Sequence, residues 1–278
     1  MKVSNIITLT TDFGLSDPYV GIMKGVIMSI NREARVIDIS HKVKAGSLIQ
    51  AAGLVREAYS FFPEGTIHVA VVDPGVGGDR RPILLRTQDH LFVGPDNGLF
   101  WPVITAHQHT EIIHLTKREY FLPNVSNTFH GRDIFAPVAA HVSRGVDPLE
   151  MGATINDPVV LRLAGPQQEK DRLTGRVIRV DNFGNLITNI QRGYLKGFLG
   201  KSRPVIRIGN LIVEGLQKTY SEAKRDEPLA LIGSSDHLEI AVNLGRASGR
   251  LEVNSEDVIG MELEVRRAGT CYRGSNPL

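Results

Sequence analysis

The chain has 278 residues, 42% of them hydrophobic and 22% charged, which suits one large folded domain or two modest ones and excludes a disordered or fibrous protein. Lys and Arg total 32 against 30 Asp and Glu, with no concentrated basic run and only 6% aromatic residues, so no nucleic-acid surface is expected. The single cysteine, Cys271, makes no intrachain disulfide, and no apolar segment reaches the length of a signal h-region or a membrane span; a cytoplasmic protein without a membrane partner is expected.

The first half alternates strand-like and helix-like patterns, the signature of a parallel or mixed sheet covered by helices. Residues 6–9 run as a buried strand into Thr10, Thr11 and Asp12. Asp17-Pro18 then offers an N-cap and a first-turn proline, and Val20, Met23, Ile27 and Ile30 follow at helical spacing. Residues 35–39 read as a strand, 46–61 as a helix, and 66–72 as a strand ending at Asp73. Residues 82–85 and 91–93 read as a hairpin, 111–115 as a further strand, and 132–142 as a helix entered through His130-Gly131.

The polar stretch 165–172, GPQQEKDR, lacks apolar periodicity and is taken as a linker between an N-terminal domain (1–164) and a C-terminal domain (173–278). Beyond it, short strand patterns at 176–180, 185–190, 205–208, 211–213, 229–232, 238–242 and 261–265 are separated by Gly, Asn, Asp and Ser. Seven short strands of this kind predict a small β-barrel or sandwich.

Ligands of open α/β sheets bind outside the carboxyl ends of the strands. Asp12, Asp73 and the Asp96-Asn97 pair each follow a predicted strand and stand beside glycine, in TTDFG, VVDPGVGG and GPDNGL. Each alone is an ordinary turn; three together point to one polar edge. Asp12-Phe13-Gly14 matches the kinase metal-binding tripeptide, but no Gly-rich loop, strand lysine or catalytic-loop signature accompanies it. Nor is there a phosphate-loop lysine, a dinucleotide glycine fingerprint or an HExxH pair, and His107 and His109 read as surface or structural residues, so no metal site is expected.

Thr128-Phe129-His130-Gly131-Arg132-Asp133 concentrates a histidine, an arginine and a carboxylate at a helix start. There His130 could position a reacting group with Asp73 and Arg80 as charged partners, or Arg132 and Asp133 could be a local ion pair beside a solvated His130. In the second half, the turns 181–185 and 233–237 are rich in hydrogen-bonding side chains, for which hairpin chemistry is the simpler reading.

Taken in order, TTDFGLSDPYVG, VVDPGVGGDRR, GPDNGL, NTFHGRDIFAPVAAH, DNFGNLITNI and SSDHLEIAVN resemble the S-adenosylmethionine hydroxide adenosyltransferases, relatives of the fluorinases and chlorinases. The similarity runs from Thr10 to Asn243. It implies an α/β N-terminal domain with a Rossmann-like mixed sheet, a C-terminal all-β barrel, and a homotrimer whose sites lie where one subunit's N-terminal domain meets a neighbour's barrel. The implied activity is hydrolysis of S-adenosyl-L-methionine to adenosine and L-methionine, with no cofactor.

The same resemblance implies roles. Asp12 accepts from the ribose hydroxyls, and Asp73, Arg80 and His130 form the set around the attacking water. Asp181 takes the methionine ammonium, Asn185 joins the nucleoside pocket, and Ser234 is a further methionine contact. Phe129 and Phe183 line the pocket, and the Asn243-Leu244 main chain reads the adenine edge. Where halogenases carry a tyrosine this chain has Asp73, and where they place a serine or small residue after an aromatic it has His130-Gly131. A carboxylate there repels a halide and accepts a proton from water, which favours hydrolysis. Ser235 stands where fluorinases have an arginine, leaving the partner of the substrate carboxylate open. Two other readings stand beside this one: a halide-dependent adenosyltransferase and a non-catalytic S-adenosylmethionine sensor.

Overall fold

Runs of buried, mostly apolar residues make the central strands of the first sheet. Its strands β1 (Ile6–Thr11), β2 (Arg35–Ser40) and β3 (Ile67–Val71) are joined through α1 (Tyr19–Ile30) and α2 (Leu48–Ala58). The anticipated hairpin follows as β4 (Pro82–Arg86) and β5 (Leu91–Pro95), then the short α3 (Trp101–Ile104), β6 (Glu111–Leu115), α4 (Ala136–Ser143) and β7 (Gly152–Thr154). In this computed structural model, which describes residues 2–162, 165–253 and 257–269, these strands form one mixed sheet of order β2-β1-β3-β5-β4-β6-β7. β1 pairs in parallel with β2 and β3, and β3 with β5, while β4, β6 and β7 add antiparallel pairings.

The strand order places β2 and β3 on opposite sides of β1. Right-handed crossovers then send the two connecting helices to opposite faces. Val20, Met23 and Ile27 of α1 pack with α4 over one face, and Ala51 and Val55 of α2 pack with Val103 over the other. The gap between the carboxyl ends of β1 and β3 is therefore the topological switch point of the sheet, the place where such folds bind ligands.

Helix α1 differs in detail from expectation. Pro18 itself occupies the cap position and no side chain caps the helix, so Asp17 plays no such part. The predicted helix at 132–142 begins as a π-helical turn, Gly131–Phe135, and continues as α4. Pro137 explains part of this departure, because it has no N–H to offer the carbonyl four residues back. That carbonyl, on Asp133, instead accepts from Leu122 N–H at 2.9 Å.

The chain divides into two units, Met1–Arg162 and Leu163–Leu278. Residues 163 and 164 at the expected domain edge, and Cys271, lie outside the described residues. The second unit holds β8 (Gln167–Gln168), β9 (Leu173–Val180), β10 (Leu186–Gln191), α5 (Arg192–Leu199), β11 (Pro204–Ile208), β12 (Leu211–Glu214), β13 (Pro228–Ile232), β14 (His237–Val242) and β15 (Glu262–Arg267). β8 falls inside the stretch expected to be a linker. Its two exposed glutamines pair with β9 through main-chain groups, which need no apolar side chains to do so.

The remaining strands run β12-β11-β15-β9-β10-β14-β13, all antiparallel. The outer two approach each other, with Gln217 N–H donating to the Ala230 carbonyl at 2.8 Å, so the sheet nearly closes into a barrel. Leu195, Phe198 and Leu199 of α5 join the barrel core. Gly193 and Gly197 weaken the helical signal of that segment, which accounts for its absence from the sequence reading.

Candidate active site

Asp12 and Asp73 leave the ends of β1 and β3 at the switch point, and with Phe13, Phe129 and His130 they line a cavity of about 330 Å³. Asp12 is oriented by the Gly46 N–H, which donates to its Oδ2 at 2.9 Å from a backbone turn with φ of +71°. Such a φ favours glycine, so the KAG sequence before α2 was a usable signal that the reading by motif passed over. Phe13 and Phe129 supply apolar wall, and Tyr19 packs against both, the three rings meeting edge to face with centroids 5.1–5.9 Å apart.

Arg80 joins Asp73 to His130. Its Nε and Nη2 donate to Asp73 Oδ2 at 2.8 and 2.5 Å, and Nη2 also lies 2.6 Å from His130 Nδ1. The guanidinium sits 5.4 Å from the Phe135 ring centre, a cation–π contact that holds it from below. Arginine only donates, so His130 Nδ1 is the unprotonated nitrogen and Nε2 carries the hydrogen. Burial, reinforced by the Arg80 charge, holds the His130 pKa below its ordinary value against the opposing pull of Asp73, Asp133 and a main-chain hydrogen bond with Ser126.

The two oxygens of Asp73 differ. Oδ2 takes both donors from Arg80, whereas Oδ1 is buried and has no hydrogen-bond partner among the described residues. An unmatched buried acceptor costs about 1–3 kcal/mol, so the site is preorganised for a donor at that atom. Among the described residues, no cluster of three or more His, Cys, Asp or Glu side chains is arranged to hold a metal ion, and no helix is long and apolar enough to cross a membrane.

Not every residue singled out in the sequence reaches the cavity. Asp96 is buried under Arg81, whose Nη2 and Nε donate at 2.6 and 2.9 Å, and its Oδ1 accepts from Val159 N–H at 2.8 Å. Asn97 donates to the Val72 carbonyl at 2.9 Å and so braces the end of β3. The third strand-end segment thus supports the site from behind. Arg132 and Asp133 form the local ion pair, at 2.6 Å, that sequence left as one of two options.

In the second unit, Asp181 closes its own turn. Oδ1 accepts from the N–H groups of Phe183 and Asn185 at 2.9 and 2.8 Å, and Oδ2 from Asn185 Nδ2 at 2.9 Å. Arg246 Nη1 donates to the Asn182 carbonyl and Ser248 N–H to the Gly184 carbonyl, both at 2.9 Å, tying this turn to the loop after β14. Phe183 (72% exposed) and Leu244 (77% exposed, φ of +57°) therefore belong to neighbouring exposed loops. The Asn243 N–H and C=O are already bonded to Glu227 and Asp226, and its side chain donates to the Ala223 carbonyl. Ser234 is exposed in the separate turn between β13 and β14. Sequence reading passed over Tyr19, Gly46 and Ser126; it also passed over His41, whose Nδ1 lies 2.8 Å from Thr11 Oγ1 just before Asp12.

A switch-point cavity holding two carboxylates, with an arginine bridging one of them to a neutral histidine, defines a small-molecule site of an α/β protein that carries an added β-barrel. Residues 7–152 match the SAM hydroxide adenosyltransferase N-terminal domain and residues 175–260 the C-terminal domain of that family, and the chain belongs to it. It is 37% identical over 269 residues to the (R)-S-adenosyl-L-methionine hydrolase of Methanocaldococcus jannaschii, covering 92% of this chain and 95% of that protein. It is 35% identical over 258 residues to the protein of the same name from Salinispora tropica, covering 90% and 95%. A crystal structure of an uncharacterized conserved protein from Thermotoga maritima superposes with a TM-score of 0.86 at 37% identity, covering 94% of this chain and all of that one.

Proposed function

We propose that this protein hydrolyses S-adenosyl-L-methionine to adenosine and L-methionine, with Asp73 as the acceptor of the water proton. The observation that carries this reading is the pair of unlike oxygens on Asp73: Arg80 occupies one, and the other is a buried acceptor without a partner at the cavity wall. The sulfonium sulfur is already a good leaving group, so the site's task is to hold one water in line with the 5′ carbon and receive its proton. As the new C5′–O bond forms, the C5′–S bond breaks, sulfur keeps the electron pair as the methionine thioether, and the proton passes to Asp73 Oδ1. His130 is not the base in this geometry, since Arg80 donates to its one unprotonated nitrogen. It holds Arg80, whose positive charge favours hydroxide character in the attacking water.

Asp12, fixed by Gly46, accepts from the ribose hydroxyls, and Phe129 packs against the sugar. The remaining contacts are those the family resemblance implies: Asp181 for the ammonium, Asn185 and Phe183 for the nucleoside, and Ser234 for the methionine end. With both Asn243 main-chain groups engaged, the adenine edge falls to the main chain of Leu244. This reading treats the first sheet as Rossmann-like and the assembly as a homotrimer in the cytoplasm, one subunit supplying Asp12, Asp73 and His130 and its neighbour Asp181, Asn185 and Ser234. It needs no cofactor.

Pure protein incubated with S-adenosyl-L-methionine in halide-free buffer made with ¹⁸O-water tests the reading. Adenosine labelled at the 5′ oxygen, with an equal amount of methionine, is expected. A product that forms only when chloride is added, or binding without turnover, overturns it.

A further inference from the structure

We propose that Ser126 and Asp133 are positioning residues for this reaction, forming a buried clamp that sets the orientation of His130 and, through it, of Arg80 and Asp73. The proposal rests on the hydrolase reading above and extends it to residues outside the cavity wall.

Asp133 is a fully buried carboxylate, and every donor on it comes from the same short segment. Ser126 gives its N–H and Oγ–H to Oδ2 at 2.8 and 2.6 Å, and Arg132 Nε donates to Oδ1 at 2.6 Å. Ser126 Oγ in turn accepts from Phe129 N–H at 3.1 Å. The ends of the loop preceding the π-helical turn are thereby pinned to its first residues. A burial cost of this size is unnecessary for a turn that only connects β6 to α4. Satisfying it by one specific geometry fixes Ser126, and the Ser126 Oγ that accepts from Phe129 N–H holds the main chain one residue before His130.

Nδ1 of His130 accepts from Arg80, so the ring hydrogen stands at Nε2. That bond selects the tautomer and orientation of the ring. The chain of contacts runs from Asp133 through Ser126 to Phe129, passes along the main chain to His130, and continues by hydrogen bonds to Arg80 and Asp73. The charged groups facing the ring are Arg80 and Asp73 from the loop after β3 and Asp133 from the π-helical turn.

The test compares wild type with Ser126→Ala, Asp133→Asn and Ser126→Thr. For Ser126→Ala and Asp133→Asn, kcat for S-adenosyl-L-methionine should fall by about tenfold or more while KM stays within about twofold, the mark of lost transition-state positioning. In Ser126→Ala, which leaves the Asp133 charge in place, the acid limb of the kcat–pH profile should also rise toward the ordinary imidazole value, because a ring no longer held against Arg80 loses that suppression. Ser126→Thr, which keeps the hydroxyl, should restore both. Imidazole ¹⁵N shifts report the His130 tautomer independently of turnover: hydrogen on Nε2 in wild type, a tautomer mixture in Ser126→Ala. Lower thermal stability with kcat, acid limb and tautomer unchanged overturns the proposal. Absence of turnover by the wild type would instead sink the hydrolase reading, with the tautomer measurement still deciding the clamp. Should Asp133→Asn fail to fold, Ser126→Ala decides the matter.

Discussion

Arg80 Nη2 lies 2.6 Å from His130 Nδ1, so the histidine of the site is an acceptor for arginine and not a base facing solvent. The same guanidinium engages only Oδ2 of Asp73. In the proposed reaction one side chain therefore divides the labour of its two neighbours, leaving the carboxylate to take a proton and the imidazole to hold the cation in place.

Replacing Asp73 with Asn keeps the shape but removes the proposed proton acceptor. Turnover should fall by a factor on the order of a hundred or more with little change in KM, as measured by steady-state kinetics on S-adenosyl-L-methionine. Unchanged kcat in this variant would remove Asp73 from the mechanism.

The pH profile should carry the signature of His130. Its folded-state pKa lies below the ordinary 6.5, through burial and then the Arg80 charge. The ring thus stays neutral, and able to accept from Arg80, as pH falls past 6.5. Activity should persist there and decline only at lower pH, where protonation sets two cations against each other. An acid limb at or above 6.5 would contradict the neutral, arginine-bound histidine.

Gly77 joins the two loops that carry Arg80 and His130. Its φ is +77°, and a Cβ on it would lie 2.2 Å from the Asn127 carbonyl oxygen. The left-handed conformation alone costs a non-glycine residue about 1–2 kcal/mol. Gly77→Ala should therefore lower the melting temperature by several degrees and also reduce kcat, because relieving the clash separates Arg80 from His130. A thermal melt and an assay on the same preparation test both halves.

A buried histidine pair at the other end of the sheet should govern acid stability. His68 Nδ1 lies 2.8 Å from Thr8 Oγ1 and its Nε2 3.4 Å from His90 Nδ1. Burial, with His90 beside it, pushes the His68 pKa down from 6.5 to about 3. Between those values the unfolded chain binds the proton and the folded chain does not, so stability is complete above pH 6.5 and drains away as pH falls toward 3. His68→Gln should flatten that decline in denaturant melts across the same range. An equally steep decline in the variant would assign the effect elsewhere.

Shared sites can be tested by mixing two inactive variants, Asp73→Asn and Asp181→Ala, under conditions that exchange subunits. In a closed ring of heterologous contacts, some interfaces of the mixed assembly join an intact N-terminal domain to an intact barrel, and activity should return. No recovery despite demonstrated exchange means that each chain holds its whole site.

Much of this protein is legible in its sequence because local chemistry dictates it. The apolar runs ending at Asp12 and Asp73 become β1 and β3, the seven C-terminal strand patterns become β9 to β15, and the six ordered motifs identify the family. Strand order, by contrast, is a non-local property. Only the placement of β2 and β3 on either side of β1 makes their carboxyl ends a switch point, and only that placement leaves Asp96 behind the site while Asp12 and Asp73 line it. The roles within VVDPGVGGDRR and NTFHGRD were equally undetermined in one dimension. Any of Asp73, Arg80, His130, Arg132 and Asp133 could have been base, partner or structural pair. Hydrogen-bond direction and burial separated them: arginine must donate, so His130 must accept. The carboxylate of Asp133 is consumed by Ser126 and Arg132, while one oxygen of Asp73 is not consumed by anything described. Residue types were fixed by the sequence, but which partner each one spends its lone pairs on was decided by the fold.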